Sequence, residues 1–138
     1  MTRRILSLFF LLVGVLIVIA ILAQTTRQRD TISAEKAREM IDTDTNTVVL
    51  DVRTEREYNS ETGHLARAKL IPVQDLESRL AELTPWKSKT IIAYCRTGSR
   101  SGRAASFLRE HGFSALNMEG GIVRWNQLEY PVVVEKER

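Results

Sequence analysis

Cysteine occurs once in the 138 residues, at position 95. Its surroundings are of the kind that ionise a thiol. The segment reads Tyr94-Cys95-Arg96-Thr97-Gly98-Ser99-Arg100-Ser101. Cys95 follows a short apolar run, Ile91 to Tyr94, and precedes a Gly/Ser loop that leads into a helical pattern. Backbone N–H groups at the start of that helix point back toward the sulfur and carry the positive end of its dipole. Arg96 and Arg100 add full charges. All three effects favour thiolate over thiol. Gly98 lets the backbone turn tightly around a bound anion or sulfur. A Gly/Ser loop alone is usually a loop, two arginines are usually a solvated face, and a lone cysteine is often a small core residue. In combination at a strand end they mark Cys95 as a nucleophile.

The elements that must hold this loop are legible from periodicity. Ser33 reads as an N-cap, followed by Ala34, Ala37, Met40 and Ile41 at helical spacing. Val48-Val49-Leu50 and Ile91-Ile92-Ala93-Tyr94 are short strands of the type buried on both faces. Thr54 and Glu57 form a capping-box pattern that starts a short helix. Ala68 to Val73 reads as another strand. Leu76, Leu80 and Leu83 form one stripe of a helix ended by Pro85. Ala104, Ala105, Phe107, Leu108 and His111 share a helical stripe closed by Gly112. Ala115 to Met118 reads as a further strand, and Gly120-Gly121 lead into a last short helix carrying Trp125. Strands alternating with helices imply a parallel sheet covered on both faces, the α/β class. Ligands of such sheets bind beyond the carboxyl ends of the strands. That places the chemistry in the residues just after Leu50 and Tyr94.

The remaining residues bound the function. Ile5 to Ala23 is a run of nineteen residues without a charge. As a helix it reaches about 28 Å, roughly a hydrocarbon core. The expected organisation is a basic tail at 1–4, a transmembrane anchor at 5–23, a linker at 24–30, one domain at 31–134 and a charged tail at 135–138. A cleaved signal peptide is the other reading of 5–23. An uncleaved anchor is preferred because the run exceeds a typical signal core and Ala20 and Ala23 lack A-x-A spacing. The short basic tail suggests a single-pass protein with its domain outside the cytoplasm, in the periplasm if bacterial. Arg27, Arg29, Lys36 and Arg38 beyond the span weaken that orientation. Setting aside Arg3 and Arg4 leaves 18 basic against 17 acidic residues. No basic run is interleaved with aromatics, so nucleic acid is not an expected partner. No Cys/His/Asp/Glu spacing suggests a metal site.

The loop resembles the active-site loop of the rhodanese family of sulfurtransferases. Asp51-Val52-Arg53 is similar to the family's D-x-R element, Glu57-Tyr58 to its E-[FY], Gly63-His64-Leu65 to its G-H-I, and Gly120-Gly121-Ile122 with Trp125 to its G-G-x-x-x-W. The likeness spans about Thr31 to Val133. Where the family often has I-P-G-A, this chain has Leu65-Ala66-Arg67-Ala68. The resemblance implies a rhodanese-like fold, a central five-stranded parallel sheet flanked by helices. It implies ping-pong catalysis without a cofactor beyond a covalent persulfide on Cys95. A donor such as thiosulfate would load Cys95, and a thiol or cyanide acceptor would unload it. The N–H groups of Arg96, Thr97, Gly98, Ser99 and Arg100 would cradle the persulfide, with Arg96 and Arg100 attracting the anionic donor. Arg100 has a second reading, a structural tie to the loop's own carbonyls. Asp51 and Arg53 read as a structural pair or a pocket wall, His64 as a turn or packing residue, and His111 and Trp125 as packing. Three rivals stand beside this: a non-enzymatic interaction module, a cysteine phosphatase or arsenate reductase, and a persulfide carrier serving a membrane or redox protein partner. The phosphatase pattern places five residues between Cys and Arg. Here there are four, Arg96 to Ser99.

Overall fold

Val48, Val49 and Leu50 on one segment and Ile91, Ile92 and Ala93 on another have no polar face to offer. They can be satisfied only in the middle of a sheet covered on both sides. The computed structural model describes residues 2–134, and within the first helix the side chains of Leu8 and residues 10–22. It places those two segments side by side. Strand β2 (Thr47–Asp51) pairs in parallel with β4 (Thr90–Tyr94), Leu50 opposite Ala93 and Asp51 opposite Tyr94. Around them β1 (Thr31–Ile32), β3 (Lys69–Leu70) and β5 (Ser114–Met118) complete a five-stranded sheet in the order β1-β5-β4-β2-β3, every pair parallel.

Helices α1 (Thr2–Arg29), α2 (Ala34–Thr43), α3 (Glu55–Tyr58), α4 (Ser99–Glu110) and α5 (Gly121–Gln127) alternate with the strands. One face of the sheet packs Leu50, Val52, Ile91, Ala93 and Cys95 against Ala104, Ala105 and Leu108 of α4. The other packs Val49, Ile92 and Tyr94 against Ala34 and Ala37 of α2 and Ile122 and Trp125 of α5. The Ser33 oxygen caps α2 by accepting the Lys36 N–H at 3.2 Å, and Thr54 and Glu57 close the expected capping box.

Several expectations need correction. The strand expected over Ala68 to Val73 is only Lys69–Leu70. Pro72 has no N–H to extend the ladder, and Val73–Asp75 turns off as a 3-10 helix. The stripe of Leu76, Leu80 and Leu83 does bury Leu76 and Leu83, without an α-helix. The chain leaves helical geometry at Arg79, and a second 3-10 helix, Leu80–Trp86, carries Pro85 inside it. His111 packs its ring on Phe107, centroids 4.2 Å apart, but outside the core. It is exposed at the end of α4, beside Gly112 with its left-handed φ of +78°. Strand β1, too short for a periodic signal, joins the sheet edge opposite Asn117 and Met118.

The transmembrane helix expected at 5–23 is also not supported. Among the described residues no helix is long and apolar enough to cross a membrane. The side chains at both ends of the expected span, residues 5–7 and Ala23, lie outside the described residues, as do those of the basic tail and the whole charged tail at 135–138. Helix α1 continues to Arg29, through the segment expected to be a linker.

Candidate active site

Cys95 is the first residue past β4, and its side chain falls on the α4 face of the sheet, 1% exposed. Gly98 caps α4 at φ +102°, a left-handed turn that brings its N–H to 3.2 Å from Cys95 Sγ. A side chain here would also press on Gly120 N at 3.3 Å. The Ser101 hydroxyl lies 3.4 Å from the sulfur, in the first turn of α4. Burial pushes the Cys95 thiol up. The Ser101 hydroxyl and the N–H groups of Ser101, Gly98 and Thr97 outweigh it, so the thiol sits below its ordinary value.

The loop is gripped from beneath. At the start of α5 the Ile122 N–H donates to Cys95 O at 2.9 Å, and the Val123 N–H to Arg96 O at 3.1 Å. Gly121 makes this approach feasible. Its φ is +53°, and a Cβ there would lie 2.3 Å from Cys95 O. The G-G element therefore has a physical role as the floor of the loop.

Arg100 pairs with a carboxylate rather than with the loop's own carbonyls. It reaches across to α3 and makes a two-pronged pair with Glu57, Nη2 to Oε1 at 2.6 Å and Nη1 to Oε2 at 2.7 Å. Those bonds, helped by the Thr54 cap and opposed by burial, hold Glu57 down to about 2. Arg100 is raised in turn, first by Glu57 against burial, and further by the charge on Cys95. Its guanidinium thus acts on the sulfur while anchored elsewhere. Arg96 and Thr97 are exposed on the loop, and Ser99 is exposed at the start of α4.

Asp51 and Arg53 meet each other behind the loop. Both are buried, 0% and 1% exposed, and Arg53 Nε and Nη2 donate to the Asp51 carboxylate at 2.7–3.0 Å. Arg53 Nη2 also donates to Gly63 O at 2.8 Å, and the Tyr94 hydroxyl accepts the Leu65 N–H at 3.1 Å. Burial first, then Asp51, raises the Tyr94 phenol, which stays protonated. This cluster ties the 57–65 segment to the ends of β2 and β4. His64 stacks on Tyr58 with ring centroids 3.7 Å apart, and Trp125 is core. Arg67 stands at the third position of the segment that departs from I-P-G-A. Its φ is +61°, so the turn keeps a glycine-like shape without the glycine.

Sequence reasoning passed over three residues here. Glu57 is expected as a cap and as part of the E-[FY] element, and neither pattern announces its contact with Arg100. Ser101 was given no role. Asn117, whose Oδ1 is 2.7 Å from the Ser101 hydroxyl, was read as part of a strand. Its polarity at the end of an inward-facing alternation with Ala115 was the available signal.

The chain is similar to known proteins. The rhodanese-like domain family matches residues 33–128. A sulfurtransferase of Allochromatium vinosum is 34% identical over 92 residues, 65% of this chain and 82% of that protein. The thiosulfate sulfurtransferase PspE of Escherichia coli is 34% identical over 73 residues, 53% of this chain and 68% of that one. A crystal structure of a rhodanese-related protein from Thermoplasma volcanium superposes with a TM-score of 0.69 at 33% identity, covering 77% of this chain and 99% of that one. The chain also matches longer adenylyltransferases, of which it spans 21–26% of the length. With its sheet order, its cysteine loop and the glycine floor beneath it, the chain belongs to the rhodanese-like domain family.

Proposed function

We propose that this protein is a sulfurtransferase that carries sulfane sulfur on Cys95. The observation that carries the reading is a buried sulfur facing the Gly98 N–H at 3.2 Å and the Ser101 hydroxyl at 3.4 Å, held below its ordinary pKa. The names of the sulfurtransferase relatives support it. In the first half-reaction the Cys95 thiolate attacks the outer sulfur of a donor such as thiosulfate. The S–S bond to Cys95 forms as the donor's S–S bond breaks, and sulfite leaves with the electron pair. In the second, cyanide or a thiolate attacks the outer sulfur, the persulfide bond breaks, and Cys95 regains its thiolate. The reaction needs no resident cofactor. The loop N–H groups stabilise the charge that moves between the two sulfurs. Exposed Arg96 attracts the anionic donor, and Arg100, pinned by Glu57, supplies a fixed field. Asp51 and Arg53 build the wall behind the loop.

A phosphatase is the weaker reading. Four residues between Cys95 and Arg100 give one peptide N–H fewer than the phosphatase pattern, and the guanidinium is engaged with Glu57. The test is the mass of Cys95 peptides after incubation with thiosulfate. A gain of one sulfur atom is expected, with cyanide removing it and Cys95→Ser abolishing both transfer and gain. Efficient aryl-phosphate hydrolysis without a persulfide would overturn the reading.

The tether belongs to the same proposal. Its support is the uncharged run 5–23 and the outward apolar side chains of α1, from Leu8 at 62% to Leu22 at 61% exposed. A helix without a polar face needs an apolar cover. We place the domain on the extracytoplasmic side, where the alternative role is a persulfide carrier for a membrane or redox protein. A reporter fused to Arg138 that works only outside the cytoplasm should be active. A silent one, matched by an active cytoplasmic reporter, reverses the orientation.

A further inference from the structure

The Ser101 hydroxyl has one proton and two acceptors. Asn117 Oδ1 lies 2.7 Å away and Cys95 Sγ 3.4 Å away. A hydroxyl can donate to one of them at a time. Ser101 is fully buried and Cys95 is 1% exposed, so bulk water does not decide the competition. The fold builds this triangle deliberately from three elements. Asn117 stands on β5 opposite Ala93 of β4, and on the same face as Ala115, which packs among α4 residues. Gly102, the next residue of α4, leaves room for its carboxamide: a Cβ there would come within 3.3 Å of Asn117 Nδ2. A polar side chain is thus admitted to an apolar face where it meets the hydroxyl that meets the sulfur.

We propose that Ser101 is a hydroxyl rotor that follows the charge on Cys95 Sγ, with Asn117 as the positioning residue that holds its proton when the sulfur is neutral. As a thiolate, Sγ is the stronger acceptor and draws the proton from Asn117. As a neutral thiol, or as the inner atom of a persulfide whose charge is on the outer sulfur, it releases the proton to Asn117. This inference deepens the sulfur-transfer reading and rests on it for the second half-reaction. There the acceptor attacks the outer sulfur and Sγ departs with the electron pair. Ser101 donation to Sγ grows as that bond breaks, so it favours discharge. During loading, charge leaves Sγ and the same hydrogen bond must be given up. The rotor therefore raises the thiolate fraction near neutral pH and speeds unloading, without speeding attack once the thiol is fully ionised.

The experiment uses the full chain and two readouts. In the first, the pH midpoint of iodoacetamide alkylation at Cys95 is measured for wild type, Ser101→Ala, Asn117→Ala and the double variant. Ser101→Ala should raise the midpoint by about one pH unit, a tenfold change in ionisation constant. Asn117→Ala should lower it by about half a unit, because the hydroxyl loses its competing acceptor. Opposite signs are not what two loosened packing contacts would give. The double variant should match Ser101→Ala within ~0.2 unit, because Asn117 acts only through the hydroxyl. In the second readout, persulfide-loaded protein is discharged with cyanide. Ser101→Ala should slow discharge about tenfold, while thiosulfate loading above the alkylation midpoint is not slowed. An unmoved midpoint in Ser101→Ala overturns the proposal. So does an upward shift in Asn117→Ala, or equal slowing of loading and discharge. A wild-type chain that forms no persulfide overturns the sulfur-transfer reading alone, since alkylation reports the thiolate without any sulfur donor.

Discussion

Replacing Glu57 with Gln separates the charge of the Arg100 pair from the shape of the cap. Glu57 Oε2 accepts from Thr54 N, Thr54 Oγ1 and Arg100 Nη1, while Oε1 accepts from Arg100 Nη2. A carboxylate serves all four donors. A carboxamide has one acceptor atom, so Gln keeps either the cap or the guanidinium contact and loses the charge. The magnitude follows from the fall of the carboxyl from 4.5 to about 2. That difference corresponds to about 3 kcal/mol at neutral pH. The carboxylate is 29% exposed, so screening lowers the expected loss to about 2–3 kcal/mol. The sign is that of a depressed acid. The stability is fully present above the unfolded value of 4.5 and drains away as pH falls through about 2. Before screening, linkage leaves roughly 1.4 kcal/mol at pH 3 and about 0.4 kcal/mol at pH 2, and screening lowers both in proportion. Urea unfolding of both proteins at pH 7, 3 and 2 measures the curve. A loss under ~0.5 kcal/mol at pH 7 would refute the reasoning. A gap of unchanged size at pH 2 would refute it equally, because it would show a packing effect with no proton in it.

Two glycine-like positions give predictions of opposite sign. Arg67→Gly relieves a left-handed φ of +61° and should stabilise the domain by about 1 kcal/mol, read as a rise in Tm with persulfide loading unchanged. Gly121→Ala drives a Cβ to 2.3 Å from Cys95 O at φ +53°. It should cost about 3 kcal/mol and cut Cys95 persulfide loading at least tenfold. A normal Tm with normal loading would show that α5 does not set the loop.

Legibility in the sequence followed the range of the interaction. Val48 to Leu50 and Ile91 to Tyr94 announced central strands because burial on both faces forbids polar residues locally. Ser33, Thr54 and Gly112 announced helix ends because a cap is made within four residues. Cys95 was legible because strand end, glycine turn and helix start are consecutive. The misreadings fell where local pattern competes with backbone chemistry. Leu76, Leu80 and Leu83 kept their burial pattern while the backbone around Arg79 and Pro85 chose 3-10 geometry, since apolar spacing alone does not separate the two helices.

Contacts that close the site across the fold were not legible. Glu57 meets Arg100 over 43 residues of chain, and Ser101 meets Asn117 over 16. In both cases one partner already had a sufficient local explanation, a cap for Glu57 and a strand position for Asn117. Glu57 holds the guanidinium of Arg100 across the sheet ends, where the charge on Cys95 adds to raising it. The hydroxyl of Ser101 has a second acceptor in Asn117, which packs close to Gly102. Chemistry at Cys95 is therefore written locally in its loop, while its tuning is set by side chains brought together at the carboxyl ends of β2, β4 and β5. Substitutions in the loop should remove reaction at the sulfur. Substitutions at Glu57 and Asn117 should leave it reactive and shift the pH at which it reacts.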